Sequence, residues 1–231
     1  MVKRRIFLTA GAAAVLSACT TQKELKAVET LPSQTAQLLP ARYGAITDEP
    51  FPIPAVPEGV VPTDLLRQEV NNPDPAQPEG TVIVDPDRAL LFLVQKDGKA
   101  LRYGVGVGAA GFGWSGDAVM QFKRKWPRWT PPDEMVARRP DLEPYSIANG
   151  GMDPGPGNPL GSRALYLFQN GQDTLYRIHG ACEPKYLGQA VSSGCIRLLD
   201  QDAIDLYERV PHGAKVVVLP SVWKDGARGI Y

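Results

Sequence analysis

Proline decides where this chain can build regular hydrogen-bonded structure. The sequence holds 22 prolines, and ten of them fall between Thr20 and Glu79, so this stretch cannot supply backbone N–H groups regularly to a helix or a sheet. They are densest in Glu49-Pro50-Phe51-Pro52-Ile53-Pro54 and in Asn72-Pro73-Asp74-Pro75-Ala76-Gln77-Pro78. Residues 19–79 are therefore expected to form an extended, semi-rigid tether. One short helical stretch is expected within it, from Thr63 to Val70, with Thr63 or Asp64 as cap and Leu65, Leu66 and Val70 as its apolar face.

Beyond Gly80 the pattern changes to short apolar runs separated by turn residues. Thr81–Asp85, Ala89–Val94, Leu101–Val107, Ala118–Lys125, Ala164–Phe168, Leu175–His179 and Lys215–Leu219 read as strands, with Lys96-Asp97-Gly98-Lys99 as a hairpin turn. Asp133–Arg138 reads as a short helix. Asp200–Arg209 is the main helix, its apolar face made by Ala203, Ile204, Leu206 and Tyr207. Many short strands and one principal helix imply a mainly β sandwich or barrel at residues 80–220, followed by a tail at 221–231.

Before the proline-rich stretch, Lys3, Arg4 and Arg5 precede an apolar run from Ile6 to Leu16. That run is shorter than the ~20 residues a membrane span needs, so residues 1–18 read as a secretory signal. Leu16-Ser17-Ala18-Cys19 resembles a lipoprotein cleavage box, which implies lipid on Cys19, anchoring in a membrane, and a place in the periplasm or cell envelope. Ordinary cleavage with an incidental Cys19 is the other reading. Arg4-Arg5-Ile6-Phe7-Leu8 fits a twin-arginine export signal or a simple basic leader.

Lys+Arg and Asp+Glu balance at 25 each, so no basic excess points to nucleic acid. Three cysteines, with no C-x-x-C pair, make neither a disulfide framework nor a zinc site. Chemistry concentrates instead in His179-Gly180-Ala181-Cys182 and Ser192-Ser193-Gly194-Cys195-Ile196-Arg197. A thiol is a nucleophile as thiolate, and a nearby imidazole with a turn rich in backbone N–H groups promotes that form. Gly194 leaves those N–H groups open to a developing oxyanion. Arg197 offers a fork suited to a carboxylate. Taken singly, Cys195 reads as a buried small residue and His179 as a satisfied core histidine.

As a set, these residues resemble the L,D-transpeptidase catalytic domain (YkuD) family. The family pattern of His-Gly followed by Ser-x-Gly-Cys-x-Arg appears as His179-Gly180 and Ser192-Ser193-Gly194-Cys195-Ile196-Arg197, and the match runs from Thr81 to Leu219. Flanking pieces agree: Tyr103–Gly108, Trp126–Pro131 and Asn158–Leu165. The resemblance implies a β-rich fold, no metal or organic cofactor, and peptidoglycan stem peptides as partners. Cys195 would attack the carbonyl between the third and fourth stem residues and hold a thioester. An amine on a second stem peptide or on a protein would then take the acyl group. The same resemblance implies that His179 is the base and that the Gly180 carbonyl orients it. It also implies an oxyanion hole from Gly194 and Cys195, loop contacts from Ser192 and Ser193, and a loop- or substrate-binding Arg197. Water as acceptor, giving a carboxypeptidase or endopeptidase, and a silent wall-binding module are the alternatives.

Two positions depart from the family. Ser193 stands where many members carry a second histidine, and Cys182 lies three residues after His179. Cys182 reads as a packed thiol, a disulfide partner for Cys195 or an incidental residue. His212 reads as a loop residue and Lys123, Arg124 and Lys125 as a solvated strand face. Trp114, Trp126 and Trp129 carry no assigned role.

Overall fold

The computed structural model describes residues 39–108, 114–192 and 194–221. The expected signal, Cys19, Ser193 and most of the tail lie outside these residues. Eleven strands and two α-helices are described: β1 (Gln68–Asn71), β2 (Val82–Asp85), β3 (Leu90–Val94), β4 (Lys99–Gly104), β5 (Val107–Gly108), β6 (Gly116–Lys125), α1 (Asp133–Arg138), β7 (Arg163–Gln169), β8 (Gln172–His179), β9 (Ala190–Ser192), β10 (Ile196–Arg197), α2 (Asp200–Arg209) and β11 (Lys215–Val218). The fold is mainly β, with α2 as the longer helix following the Cys195 turn.

Nine strands form one mixed sheet in the order β1-β4-β3-β2-β11-β6-β7-β8-β10, and β5 pairs with β9 in a small second sheet. Alternation along β6, β7 and β8 sends Met120, Leu165, Leu167 and Ile178 inward, where they meet Ala203 and Leu206 of α2 and Val82, Leu91 and Tyr103 in one core. The Asp97-Gly98 turn between β3 and β4 takes φ of 56° and 67°, the geometry that matches the twist of a two-residue hairpin.

The tether expectation is corrected for its described part. From Leu39 on, the proline-rich segment is a strap lying against the domain. Tyr43, Ile53, Val56 and Val61 are buried, and Tyr43, Val56 and Val61 share a cluster with Cys182, Leu187 and Leu199. Proline removes a donor but keeps its carbonyl. Gln201 of α2 accordingly donates to Pro54 O at 2.9 Å and Gly44 O at 3.3 Å. The expected helix at Thr63–Val70 is a single 3-10 turn, Thr63–Leu65, followed by β1. Antiparallel pairing of β1 with the edge of β4, Gln68 opposite Arg102 through Asn71 opposite Lys99, overrides the local helical preference.

Candidate active site

The sheet's β7-β8-β10 edge brings the two motifs together. β10 runs parallel to β8 with Ile196 opposite Ile178 and Arg197 opposite His179. Ile178 and Ile196 enter the core, so residues one step away point to the other face. Cys195, immediately before β10, falls beside Arg177, whose backbone hydrogen bonds the thiol. His179 and Cys195 thus lie diagonally on one side of adjacent strands, with Arg197 directly across from His179.

The His179 turn is fixed by backbone pairing on every side. Gly180 N donates to Arg163 O at 3.0 Å, Leu198 N to His179 O at 2.8 Å and Cys182 N to Leu198 O at 3.0 Å. Gly106 and Arg197 exchange two backbone hydrogen bonds of 2.8 Å. His179 Nδ1 lies 2.8 Å from Gly180 O. A carbonyl only accepts, so Nδ1 carries the proton and Nε2 holds the lone pair. Burial lowers the His179 pKa to about 3, helped by the Arg197 and Arg177 charges and opposed by backbone hydrogen bonding at Gly180 and Leu160. The imidazole is therefore neutral and competent to accept a proton.

Cys195 is half-buried. Burial raises its pKa above the ordinary thiol value, against the Arg177 backbone and the Arg177 and Arg197 charges. At rest the thiol and the imidazole are thus both neutral, and a thiolate at this position would have to be made by proton transfer. Gly194 takes φ of 135°, a conformation that a side chain rarely tolerates, and it presents the turn's backbone beside Cys195. Arg197 Nε is buried without a hydrogen-bond partner. Ser192 closes β9, opposite Gly108.

Residues that the sequence reading left unassigned complete the surroundings. Asp200, first in α2, accepts from Ser162 N at 2.8 Å and from Ser162 Oγ at 2.6 Å. The same oxygen occupies the space a Cβ would need on Gly180, and it sits 2.7 Å from where one would lie on Gly161. Asp200 therefore ties α2 to the strand end carrying His179. Asn158 braces the preceding loop, donating to Pro127 O at 3.1 Å and Asp153 O at 3.0 Å and accepting from Leu160 N at 2.9 Å. Trp114 stacks on Tyr176, ring centroids 5.1 Å apart at 19°, and the Tyr176 pKa is raised by burial and then by Cys195. The pair packs against the core, within electrostatic reach of the thiol. No single-residue signal marks Asp200 or Tyr176, because Asp200 meets Ser162 only through the packing of α2 and Tyr176 meets Trp114 only in the folded domain. Cys182 is a packed thiol, its pKa pushed up to about 12 by burial. Its Sγ lies 3.2 Å from where a Cβ on Gly106 would be, and no disulfide joins it to Cys195. His212 is exposed.

A family model, L,D-transpeptidase catalytic domain (YkuD), matches residues 79–218. Among similar proteins, the Escherichia coli K12 protein named Probable L,D-transpeptidase YbiS is 31% identical over 71% of this chain and 54% of its own length. The E. coli K12 protein named Probable L,D-transpeptidase YcfS is 32% identical over 61% of this chain and 44% of its own. The chain spans about half the length of the curated relatives it matches. Among solved structures, a Brucella melitensis protein described as a probable carnitine operon oxidoreductase has 45% identity, covers 66% of this chain and 92% of its own, and gives a TM-score of 0.46.

Proposed function

Because the chain belongs to the L,D-transpeptidase (YkuD) family, we propose that it is a cysteine-dependent acyltransferase acting on peptidoglycan stem peptides. The observation that carries this reading is the neutral His179, its Nδ1 engaged by Gly180 O at 2.8 Å, on the strand beside Cys195.

In this reading Nε2 of His179 takes the Cys195 proton as sulfur attacks the carbonyl between the third and fourth stem residues. The tetrahedral oxyanion is held by backbone N–H groups of Gly194 and Cys195. Collapse breaks the C–N bond, His179 returns its proton to the leaving amine, and the fourth residue departs. A second amine attacks the thioester, gives its proton to His179 and regenerates the thiol. The thioester conserves the energy of the broken peptide bond, so no nucleotide is consumed. Arg197 holds the turn or binds a substrate carboxylate, and the acceptor amine belongs to a stem peptide or a protein. The amino-terminal motif supports export to the cell envelope and lipid on Cys19.

Incubating the full chain with disaccharide tetrapeptide and analysing products by mass spectrometry tests the proposal. Dimers with release of the fourth residue are expected, and Cys195→Ala abolishes them. Only shortened monomers would make water the acceptor. Unchanged dimer formation by Cys195→Ala would overturn the reading.

A further inference from the structure

One row of side chains crosses the sheet toward Cys195 without belonging to the core. Phe122 of β6 is opposite Tyr166 of β7, Tyr166 is opposite Arg177 of β8, and Arg177 is the residue beside Cys195. The row lies on the sheet face that also carries His179, reached through Arg124, Ala164 and His179 as the neighbouring register. Its members stack in sequence. Arg124 Cζ is 5.6 Å from the Phe122 ring centroid, Phe122 and Tyr166 are 4.5 Å apart at 23°, and Arg177 Cζ is 4.4 Å above Tyr166.

The far end opens into a cavity of about 500 Å³ lined by Arg124, Trp126, Tyr166 and Tyr207 among others. Cations around it are already engaged. Lys123 donates to the Tyr207 and Val210 carbonyls, Lys125 pairs with Glu208 at 3.1 Å and Arg128 pairs with Asp153. Arg177 is bound by both oxygens of Asp173, at 2.6 and 2.7 Å. Arg124 is exposed, and among the described residues no carboxylate pairs with it. From Phe122 to Cys195 the row crosses three strand spacings, about 14 Å. The three residues before the reacting carbonyl span about 10–11 Å when extended, leaving about 4 Å for the Arg124 side chain to reach across.

We propose that this row is a track for an extended, carboxylate-bearing peptide whose reacting carbonyl lies at Cys195 and whose other end is held by Arg124. The aromatic wall supplies contact area at low entropic cost. The free guanidinium supplies a charge-assisted contact to a carboxylate. This rests on the acyl-transfer reading for the identity of the peptide, but the binding itself is measurable without chemistry.

The test measures calorimetric Kd for disaccharide tetrapeptide on the full chain carrying Cys195→Ala, alone and combined with Arg124→Glu, Arg124→Lys or Tyr166→Ala. Arg124 is exposed, so its variants leave the core intact. Arg124→Glu is expected to weaken binding about fivefold, ~1 kcal/mol, and Arg124→Lys to retain most of it. The peptide with its carboxylates amidated should bind the parent and both Arg124 variants equally weakly. Tyr166→Ala should weaken both peptides. Equal Kd for Arg124→Glu and its parent on the acidic peptide, or no binding to the parent, would overturn the track. Arg124-dependent binding without thioester formation by the wild type would leave the track standing and remove the acyl-transfer reading.

Discussion

Arg163, its side chain 2% exposed at the start of β7, is held by Glu49 of the proline-rich strap through Nη2–Oε1 at 2.5 Å and Nη1–Oε2 at 3.0 Å. Trp126 Nε1 adds a hydrogen bond to the same carboxylate at 2.8 Å. Removing one partner of such a pair leaves an uncompensated buried charge, so Glu49→Ala is expected to cost about 3 kcal/mol. Urea unfolding at pH 7 measures it. Arg163 also holds the Glu49 pKa below its ordinary 4.5, ahead of the opposing effect of burial. The pair's stabilisation is therefore present above pH 4.5 and fades as the pH falls through the lowered value, and Glu49→Ala should lose that acid sensitivity.

A second expectation concerns two groups that titrate in opposite senses. Burial raises the Asp202 pKa from 3.8 to about 7, and burial lowers that of His179 from 6.5 to about 3. Between pH 3.8 and 7 the native state keeps a proton on Asp202 that the unfolded chain has lost, so this carboxyl makes stability fall as pH rises. His179 does the reverse between 3 and 6.5. Each slope is about 1.4 kcal/mol per pH unit, and where they overlap they cancel. Asp202→Asn keeps a partner for Tyr43 and leaves Arg67 paired with Asp205 at 2.5 Å. Thermal melts of this variant should show stability climbing with pH up to about 6.5, where the wild type is flat.

Gly180→Ala drives a methyl group into Asp200 Oδ1, an atom anchored by two hydrogen bonds from Ser162. The strand end carrying His179 must shift. Thioester formation, followed by intact-protein mass spectrometry, is expected to slow at least tenfold, in the range of losing a positioned base. Adding Asp200→Ala should recover part of the lost stability, a coupling that a double-mutant cycle reads directly.

Trp114→Ala removes the ring stacked on Tyr176, a residue within electrostatic reach of the thiol. If that pair lines the acyl donor, the half-saturating substrate concentration rises about fivefold, with the limiting single-turnover rate little changed. A fall in the limiting rate alone would assign the pair to chemistry instead.

Much of the fold is legible in the sequence because local signals and tertiary context agree there. Asp133–Arg138 and Asp200–Arg209 appear with the bounds their periodicity implies, and β3, β6, β7 and β11 differ from expectation by one or two residues. Cys195 and His179 are legible as a motif, and the register of β8 and β10 brings them to neighbouring positions. The short strands β5, β9 and β10 are not, since two or three residues carry no periodicity. Asp200 escapes for a different reason: its partner Ser162 is 38 positions away, and only the packing of α2 against β7 makes them neighbours. The strap misleads because proline density reports missing donors and says nothing of Tyr43, Ile53 and Val56, which find a surface to cover.

The strap also moves the edge of the folding unit away from the edge of the family pattern. The family model begins at residue 79, yet Tyr43, Glu49 and Arg67 cover groups that are buried in the described structure. A chain cut at that point would surrender β1 and open the β4 edge to pairing with another molecule. For expression or crystallisation, a faithful version of this domain keeps the strap residues Tyr43 and Glu49 together with β1.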